Sequence, residues 1–380
     1  MLTIGVEEEY LLLDPETGTP AARAEQVRAA AGLQPALREG EVQPELLQAQ
    51  IEVATPVCHG LDEVRGHLLR MRRALAGAAG EAGCRLAATG AAPFADRLAV
   101  PVTRVPRYKA MRADAPRLTD EQLIAGMHVH VGIPDRETAV TVQNRLRPAL
   151  PLLVALAANS PLWGGADTGF ASWRTVVFGR WPVSGVPPEF ADAADHDRRV
   201  ERLRRTGLIR NSGGIYWMVR CSDRYPTVEV RAMDVQLGVD DAVMLAGLVR
   251  TLVAAAVDGD LCGPPSARTR PEVLAAAVWQ AARGGGASPV WDPLLGRSCR
   301  AVDSATRLLA RPGLRDGQTD DLRYVLPVLE RFGAEGNGAA RQRRALQREG
   351  REGLLRLVGS ACTGSGDRPV SDRGVRAADR

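Results

Sequence analysis

Polar and apolar residues alternate with a period of two near the start of the chain, in TIGVEEEYLLLD at residues 3–14. Alternate side chains of a β-strand share a face, so Glu7 and Glu9 are expected on one side of a strand. Val6 and Glu8 are expected on the other side. The two carboxylates on the first face would lie about 7 Å apart and repel each other unless a proton or a cation lies between them. On this stretch alone, an edge strand with its charges in water is an equally good explanation.

Three further stretches alternate in the same way. The polar positions on one face are Gln48, Gln50 and Glu52 in LLQAQIEVATPV, His128 and His130 in AGMHVHVGI, and Glu229 and Arg231 in YPTVEVRAMDV. Taken singly, a His-x-His is more often a hydrogen-bonded strand pair than a metal site, and a Glu-x-Arg is more often a cross-strand ion pair. Four such strands together predict one sheet, with an apolar face under helices and a polar face lined by carboxylates and imidazoles.

These polar side chains predict a site for divalent metal ions. Carboxylates with one imidazole suit Mg²⁺ or Mn²⁺, and the absence of nearby thiolates argues against zinc. Because Mg²⁺ usually keeps waters and phosphate oxygens among its ligands, the expected cargo is a nucleoside triphosphate. Bound cations would explain why the chain tolerates Glu7 beside Glu9, and they would make the sheet a platform for phosphoryl transfer.

The remaining sequence predicts helices around this sheet. HLLRMRRALAGAAGEAG is predicted to be a helix ended by Gly83, followed by a short strand in CRLAATG. Other helices are predicted in RETAVTVQNRLRPALPLLVALAA, with a break at its prolines, and in DDAVMLAGLVRTLVAAAV, RPEVLAAAVWQAAR, DDLRYVLPVLERF and AARQRRALQREGREGLLRLV. No linker divides the chain, so one domain is predicted over residues 1–361. Residues 362–380 lack apolar periodicity and are predicted to be a disordered tail.

The composition argues against several classes of protein. A net charge of +4, without a basic stripe between aromatic residues, argues against a nucleic-acid-binding protein. Lys109 is the only lysine, so a P-loop Gly-Lys-Ser/Thr is excluded and phosphate binding must rely on arginine, metal ions or backbone amides. Six cysteines without a Cys-x-x-Cys pair, and no signal peptide, fit a cytoplasmic protein. The longest apolar run, ALPLLVALAA, is too short to span a bilayer, so no membrane partner is expected.

Two arginines lie among aromatic residues in GFASWRTVVFGRWPVSGVPPEF. Arg180 precedes Trp-Pro, and a loop of fixed shape can present its planar guanidinium to a carboxylate or a phosphate. For Arg174, stacking on an aromatic ring at the surface is an equally good explanation.

Further along, IYWMVR is predicted to be a strand joined by a turn around Asp223 to the strand of Glu229. His59, His67 and His196 are predicted to lie at the surface.

Six motifs occur in order along the chain: GVEEEYLLLD, ELLQAQIEVATP, GMHVHVGI, LAANSPLW, RWPVSGVPPEF and YPTVEVRAMDV. This series resembles the glutamate–cysteine ligase type 2 family, and within it the bacterial carboxylate–amine ligases, from Thr3 to GNGAARQRRAL near Leu346. The resemblance implies an α+β protein with the glutamine synthetase-like fold. In that fold a curved, mainly antiparallel sheet has helices on its outer face and an open active site on its concave face. The resemblance also implies ATP and Mg²⁺ or Mn²⁺ as cofactors.

Carried over residue by residue, the resemblance implies roles for individual side chains. The metal-binding positions are Glu7, Glu9, Glu52, His128 and Glu229. Arg231 matches an arginine that meets the transferred phosphate, and it is expected to be catalytic together with Glu52. The positions expected to bind substrate or nucleotide are His130, Arg174, Arg180, Arg220, Tyr216 and Trp217.

The implied reaction joins a small-molecule carboxylate to an amine through an acyl phosphate made with ATP. It needs no covalent protein nucleophile, which fits the absence of a Ser/His/Asp constellation. Two alternatives remain open: a metal-dependent amide hydrolase, and a non-catalytic nucleotide or metabolite binder. A homo-oligomer such as a dimer is compatible with each of these functions.

Three positions depart from the family pattern. The family commonly has an acid at Met218 in YWMVR and often one at Asn211 in IRNSGG, and Met233 in RAMD replaces a small residue. These positions are expected near the amine or carboxylate pocket. The resemblance therefore does not fix glutamate and cysteine as the substrates, and a specialised amide-bond-forming enzyme of small-molecule biosynthesis is a second expectation.

Overall fold

A seven-stranded sheet lies at the centre of the protein. The computed structural model describes residues 2–94, 99–261, 270–292, 296–311 and 319–360 of the chain. In chain order the strands are β1 (Ile4–Leu13), β2 (Val42–Pro44), β3 (Gln50–Ala54), β4 (Arg85–Ala87), β5 (Gly126–Gly132), β6 (Leu162–Trp163), β7 (Ala166–Asp167), β8 (Ser184–Gly185), β9 (Tyr216–Trp217), β10 (Val219–Cys221), β11 (Thr227–Asp234), β12 (Val290–Asp292) and β13 (Arg297–Cys299). The central sheet has the order β10-β11-β5-β1-β3-β2, with β4 paired to β1, and its strand pairs are antiparallel.

Helices lie on both sides of this sheet. They are α1 (Ala24–Ala31), α2 (Leu61–Glu81), α3 (Pro106–Asp114), α4 (Pro116–Asp120), α5 (Arg136–Leu146), α6 (Leu150–Ala157), α7 (Trp173–Phe178), α8 (Ala193–Arg205), α9 (Val239–Asp258), α10 (Pro271–Gly284), α11 (Ala301–Leu309), α12 (Thr319–Glu335) and α13 (Gly338–Ser360). Helices α3, α4, α7 and α8 contribute residues to the cavity described below. The predicted break near the prolines is confirmed, because a short 3₁₀ turn at Arg147–Ala149 separates α5 from α6.

The period-two alternation of the sequence is confirmed in the sheet. Met127, Val129 and Val131 on β5 are fully buried, and so are Val228 and Val230 on β11. Helices α2, α5 and α9 pack against this apolar side of the strands. Burying side chains of this size stabilises the fold by about 1.5–3 kcal/mol each. The polar residues between them are thereby directed to the opposite face.

Helix α9 is buried along almost its whole length, as its apolar sequence predicts. It packs between the sheet and the outer helix α12, with α2 and α5 beside it on the sheet. Its one buried cation, Arg250, is neutralised by Asp321 of α12, with Nε and a carboxylate oxygen 2.8 Å apart. This ion pair ties the outer helix to the central one.

Glu8 differs from its two acidic neighbours because it points into the apolar side of β1. It is fully buried, and Arg72 of α2 binds its carboxylate with Nε 2.9 Å from Oε2. The Tyr10 hydroxyl donates to the same carboxylate. Arg72 also donates to the carbonyl oxygens of Gln236 and Leu237, at 3.0 and 2.9 Å. Glu8 is therefore a structural residue that anchors α2 to the sheet.

Two predictions about the chain need correction. The segment IYWMVR is not one strand, because Tyr216–Trp217 pairs in parallel with β8 whereas Val219–Cys221 pairs with β11. His196 is buried rather than at the surface, since its ring packs on Phe190 and its Nδ1 lies 2.9 Å from a carboxylate oxygen of Asp197.

Other predictions concern termini, cysteines and membranes. The predicted tail at 362–380 lies outside the described residues, so the boundary of the domain stays a prediction. The four cysteines that the structure describes, Cys58, Cys84, Cys221 and Cys299, are free. In the described parts of the chain, no helix combines the length and the apolar composition that crossing a bilayer requires.

Candidate active site

A cavity of about 1640 Å³ opens over the polar face of the central sheet. The predicted site residues that line it are Glu7, Glu9, Glu52, His128, His130, Arg174, Tyr216, Trp217, Arg220, Glu229 and Arg231. They come from five strands of the sheet, β1, β3, β5, β10 and β11, and from segments above it. The sequence prediction of one polar sheet face is therefore confirmed.

Strand register assembles a first cluster from Glu7, His128 and Glu229. Glu7 of β1 lies directly opposite His128 of β5, and the His128 Nδ1 is 3.0 Å from Glu7 Oε2. Glu229 of β11 reaches the same imidazole, with Oε1 3.8 Å from Nδ1. One ligand atom from each of the three side chains lies within 4.8 Å of the others.

A second cluster of three glutamates lies on the same face of the sheet, where β1 pairs with β3. Glu9 is directly opposite Glu52 of β3, and Glu45 joins them from the segment before β3. One carboxylate oxygen from each lies within 4.8 Å of the others. The Gly126 amide donates to Glu9 Oε2 at 2.6 Å. Glu45 was not among the predicted site residues, and its presence is the main addition that the structure makes.

The second cluster is electrostatically strained when it holds no cation. Burial and the Glu9 carboxylate raise the pKa of Glu45 to about 7. Burial and the carboxylates of Glu45, Glu7 and Glu9 raise the pKa of Glu52 well above its ordinary value. Such a cluster needs protons or cations to offset its charge. A divalent ion fits this all-oxygen donor set.

His128 is suited to bind a metal ion through Nε2. Burial and the nearby Arg231 lower its pKa, which keeps the imidazole neutral at neutral pH. Its Nε2 is buried and makes no hydrogen bond; the nearest recorded carboxylate oxygen, on Glu9, is 3.6 Å away. A neutral imidazole with a free ring nitrogen beside carboxylates can ligate Mn²⁺ or Mg²⁺. The side chains present therefore fit the predicted metal ions.

Arginines bind the carboxylate of Glu229 from two sides. Arg220 lies opposite Glu229 on β10, with its Nε 2.7 Å from Glu229 Oε2. Arg231, which is on β11 like Glu229, donates to Glu229 Oε1. Burial raises the pKa of Glu229, but the two guanidinium groups outweigh this and hold it well below its ordinary value. Glu229 is therefore a carboxylate at any physiological pH. Its ligand atoms are shared between the cluster and the two arginines.

Arg174 reaches the cavity from helix α7, which begins at Trp173. Its guanidinium passes beside Gly126, where a Cβ atom would lie only 2.2 Å from Nη2. Only glycine leaves room for it at this position. The alternative explanation, an arginine stacked on a ring at the surface, is thus wrong for Arg174, which is 2% exposed.

An aromatic wall stands next to Arg174. The Tyr216 ring lies 5.7 Å from both the Phe178 and the Trp181 ring centroids. Trp181 Nε1 donates to Gln122 Oε1 at 2.7 Å, which fixes the indole. The wall places flat apolar surface at one side of the cavity.

Some predicted site residues lie elsewhere. Arg180 is not among the described residues that line the cavity; its guanidinium binds Glu121 and donates from Nε to the Val177 carbonyl at 3.2 Å. Met218 is buried and does not line the cavity, whereas Asn211 does. Of the two acid-to-neutral departures, only the one at Asn211 therefore changes the cavity surface.

Comparison with known proteins places this chain in a family. The family model described as Glutamate-cysteine ligase family 2 matches residues 3–360. A Mycolicibacterium vanbaalenii protein named "Putative glutamate–cysteine ligase 2-2" is 43% identical over 357 residues, which cover 91% of this chain and 93% of that protein.

Solved structures share the fold at low sequence identity. The Francisella tularensis glutamate–cysteine ligase, solved in complex with AMP, superposes with a TM-score of 0.67 at 14% identity, covering 95% of this chain and 88% of that one. The bifunctional glutathione synthetase of Pasteurella multocida gives a TM-score of 0.66 at 13% identity. The superposition covers 95% of this chain but only 52% of that one. The predicted fold is thereby confirmed. The chain belongs to glutamate–cysteine ligase family 2.

Proposed function

We propose that this protein is an ATP-dependent carboxylate–amine ligase. A carboxylate oxygen of one small-molecule substrate attacks the γ-phosphorus of ATP and ADP leaves, which gives an acyl phosphate. The amine of the second substrate then attacks the acyl carbon, inorganic phosphate leaves, and the amine proton is released. The products are an amide, ADP and phosphate.

The observation that carries this proposal is the pair of three-residue clusters facing one cavity. The cluster of Glu7, His128 and Glu229 and that of Glu9, Glu45 and Glu52 are joined through β1. When bound there, Mg²⁺ or Mn²⁺ would polarise phosphate oxygens and neutralise the charge of the polyphosphate. Family membership favours this ligase over an amide hydrolase using the same clusters.

Arg231 is proposed to stabilise the phosphoryl group during transfer. Burial lowers the pKa of its guanidinium, but Glu229 and Glu9 outweigh this and hold it above its ordinary value, so the group stays charged. Its Nε is buried and makes no hydrogen bond, which leaves a donor for a ligand. A fixed positive charge aimed at developing negative charge stabilises the transition state, and such electrostatic stabilisation is usually the largest single contribution to catalysis.

The remaining cavity residues are proposed to bind substrate and nucleotide. His130 Nε2 is buried without a hydrogen bond, 3.3 Å from Glu7 Oε1, and is a candidate donor to substrate. Tyr216 offers flat apolar surface for a base, and Arg220 and Trp217 line the same space. Arg180, bound to Glu121, is not included in this proposal.

The substrate pair is the open part of the function. The names of the relatives make glutamate and cysteine the first pair to test. Asn211, on the cavity surface, stands where the family often has an acid, which favours testing amines other than amino acids as well.

We also propose the extent of the domain, the location of the protein in the cell and its oligomeric state. The catalytic domain is proposed to span residues 1–361, with residues 362–380 as a tail. A cytoplasmic location is supported by free cysteines, of which Cys58, Cys84 and Cys221 are buried. A homodimer is retained as a proposal.

The direct test is ADP release by the purified protein. With ATP and Mg²⁺ or Mn²⁺, ADP is expected only when both a carboxylate and an amine are present, and the amide is expected in the same amount by mass spectrometry. Omitting either substrate is the control. No ADP across a broad panel of both substrates would contradict the proposal, and amide cleavage without nucleotide would favour the hydrolase.

The second cluster also predicts a dependence of stability on pH. In the metal-free protein the folded state holds the Glu45 proton more tightly than the unfolded state does. This proton binding stabilises the fold fully below the ordinary pKa of a glutamate, and the stabilisation is lost as the pH rises through about 7. Glu45→Gln removes this titration. We expect the variant to match the wild type at pH 5 and to exceed it in free energy of unfolding by about 1–2 kcal/mol at pH 8.

Thermal melts in EDTA from pH 5 to pH 8 measure this difference. Comparing the variant with the wild type at each pH cancels the histidines, which titrate in both proteins. Saturating Mg²⁺ is expected to stabilise the wild type more than the variant at pH 8. A difference that does not change with pH would mean that Glu45 is not held near its neighbours in solution.

A further inference from the structure

Arg174 is a buried cation without a matching anion. Within the described residues its guanidinium forms no ion pair of 4.0 Å or less, and the carboxylates of Glu9 and Asp234 act on it only from a greater distance. Its Nε is buried and makes no hydrogen bond, and Nη2 makes a single long one, 3.3 Å to the Arg231 carbonyl. The Phe178 ring lies 5.2 Å from the guanidinium carbon. Burying an arginine in this way is costly unless an anion completes its coordination.

The backbone around Arg174 is held by two buried serines. The Arg174 amide donates to Ser160 Oγ at 3.0 Å. Ser172 caps the first turn of α7, with its Oγ 3.3 Å from the Thr175 amide. Both serines are buried, at 0% and 1% exposure. The start of α7 is therefore fixed by side-chain hydroxyls rather than by solvent.

One carboxylate binds both hydroxyls. Asp234 accepts from Ser160 Oγ at 2.7 Å, from Ser172 Oγ at 2.8 Å and from the Asn159 amide at 2.8 Å. It is 1% exposed, and Gly90 leaves room for it, since a Cβ there would lie 2.7 Å from its Cγ. Asp234 lies at the end of β11, the strand that also carries Arg231.

We propose that Asp234 is a positioning residue that holds Arg174, through Ser160 and Ser172, as a phosphate-binding group of the cavity. The inference rests on the proposed function and adds a residue to it. Asp234 touches neither substrate nor metal ion. It fixes the first turn of α7, and its charge partly offsets that of the guanidinium at a distance.

The position of Arg174 favours phosphate over a substrate carboxylate as its ligand. Its guanidinium contacts Gly126, whose amide binds Glu9 of the second acidic cluster. Metal ions held by that cluster would draw the phosphate oxygens of the nucleotide to this side of the cavity. The planar guanidinium can bind such oxygens with two parallel hydrogen bonds.

The test is a double-mutant cycle on nucleotide binding. The dissociation constant of a non-hydrolysable ATP analogue with Mg²⁺ is measured by calorimetry for the wild type, Asp234→Asn, Arg174→Gln and the double variant. We expect Arg174→Gln to raise the constant by between about tenfold and a hundredfold, and Asp234→Asn by about tenfold. Because Asp234 acts through Arg174, the double variant should bind like Arg174→Gln alone. In turnover, the KM for ATP should rise more than kcat falls for Asp234→Asn.

Asp321→Asn is the matched control. This substitution also removes the charge of a buried carboxylate that pairs with an arginine. Asp321, however, lies between α9 and α12, outside the described lining of the cavity. It should lower the Tm and leave the dissociation constant unchanged. If Asp234→Asn behaves like this control, or if its effect adds to that of Arg174→Gln, the inference is overturned. A rise in the KM of the carboxylate substrate alone would also overturn it.

Inorganic tripolyphosphate with Mg²⁺ separates this inference from the proposed function. A wild type that binds tripolyphosphate but not the ATP analogue contradicts the nucleotide function, and the same cycle measured on tripolyphosphate then decides the inference. A wild type that binds neither overturns both.

Discussion

Replacing Glu52 with glutamine is expected to reduce turnover by about a thousandfold or more while leaving the Tm of the metal-free protein unchanged or higher. The side chain keeps its shape but loses the charge that a divalent ion needs. Since Glu9, Glu45 and Glu52 converge within 4.8 Å, the loss of one carboxylate removes a central part of the donor set.

The stability of this variant follows from the sign of the pKa shift. Burial and the neighbouring carboxylates raise the pKa of Glu52, so ionised Glu52 destabilises the metal-free fold at neutral pH. Glutamine removes this repulsion. A catalytic loss combined with unchanged or improved stability separates a metal-binding role from a structural one.

Glu41→Gln is the matched control for Glu52→Gln. Glu41 is buried and Glu52 is half-buried, but in Glu41 hydrogen bonds from Arg70, 2.8 and 2.6 Å long, outweigh the effect of burial and lower the pKa. Its loss should therefore lower the Tm and spare turnover. ADP release at saturating ATP and thermal melts in EDTA measure both properties. A large fall in the Tm of Glu52→Gln, with activity falling only in proportion to folded protein, would show that Glu52 is structural.

Local sequence pattern was sufficient to predict the strands that carry the site. The alternation of Glu7 and Glu9, or of His128 and His130, depends only on the two-residue period of a strand and on one buried face. That period also explains why the carboxylates and imidazoles lie on the same side. Their pairing register, which brings Glu9 opposite Glu52, depends on the whole sheet and was not predicted in detail.

Residues outside regular strands were harder to predict. Glu45 lies in the irregular segment between β2 and β3, where no period tells which way a side chain points. Asp234 ends a strand, and its function depends on serines that are 62 and 74 positions away. Arg180 was predicted to bind a ligand because of its place before Trp-Pro and of the family resemblance, and His196 was predicted to lie at the surface. Neither local feature could show the contacts with Glu121 and with Asp197.

Glu8 shows most clearly that a local sequence pattern cannot identify a distant partner. The two-residue period placed it opposite Glu7 and Glu9, on the apolar side, but gave no reason for a buried carboxylate there. The reason is Arg72, which is 64 positions away on α2. The run of three glutamates thus contains two cavity residues and one structural anchor.

Replacing Arg72 with methionine is expected to lower the free energy of unfolding by about 3–5 kcal/mol, the largest effect on stability predicted here. The change leaves the Glu8 carboxylate buried with only the Tyr10 hydroxyl and removes the bonds to Gln236 and Leu237. Denaturant unfolding and thermal melts measure the loss.

An exposed ion pair provides the control for Arg72→Met. Arg204 binds Glu201 on α8, with side chains 56% and 37% exposed, and Arg204→Met should leave the free energy of unfolding nearly unchanged. Saturating Mg²⁺ should not restore the Arg72 variant selectively, because Glu8 faces away from the cavity. If Mg²⁺ did restore it, or if its loss were as small as that of the control, Glu8 would have to be reassigned from anchoring α2 to binding metal. The two faces of β1 would then not differ in how their carboxylates are neutralised, by Arg72 on one face and by cations on the other.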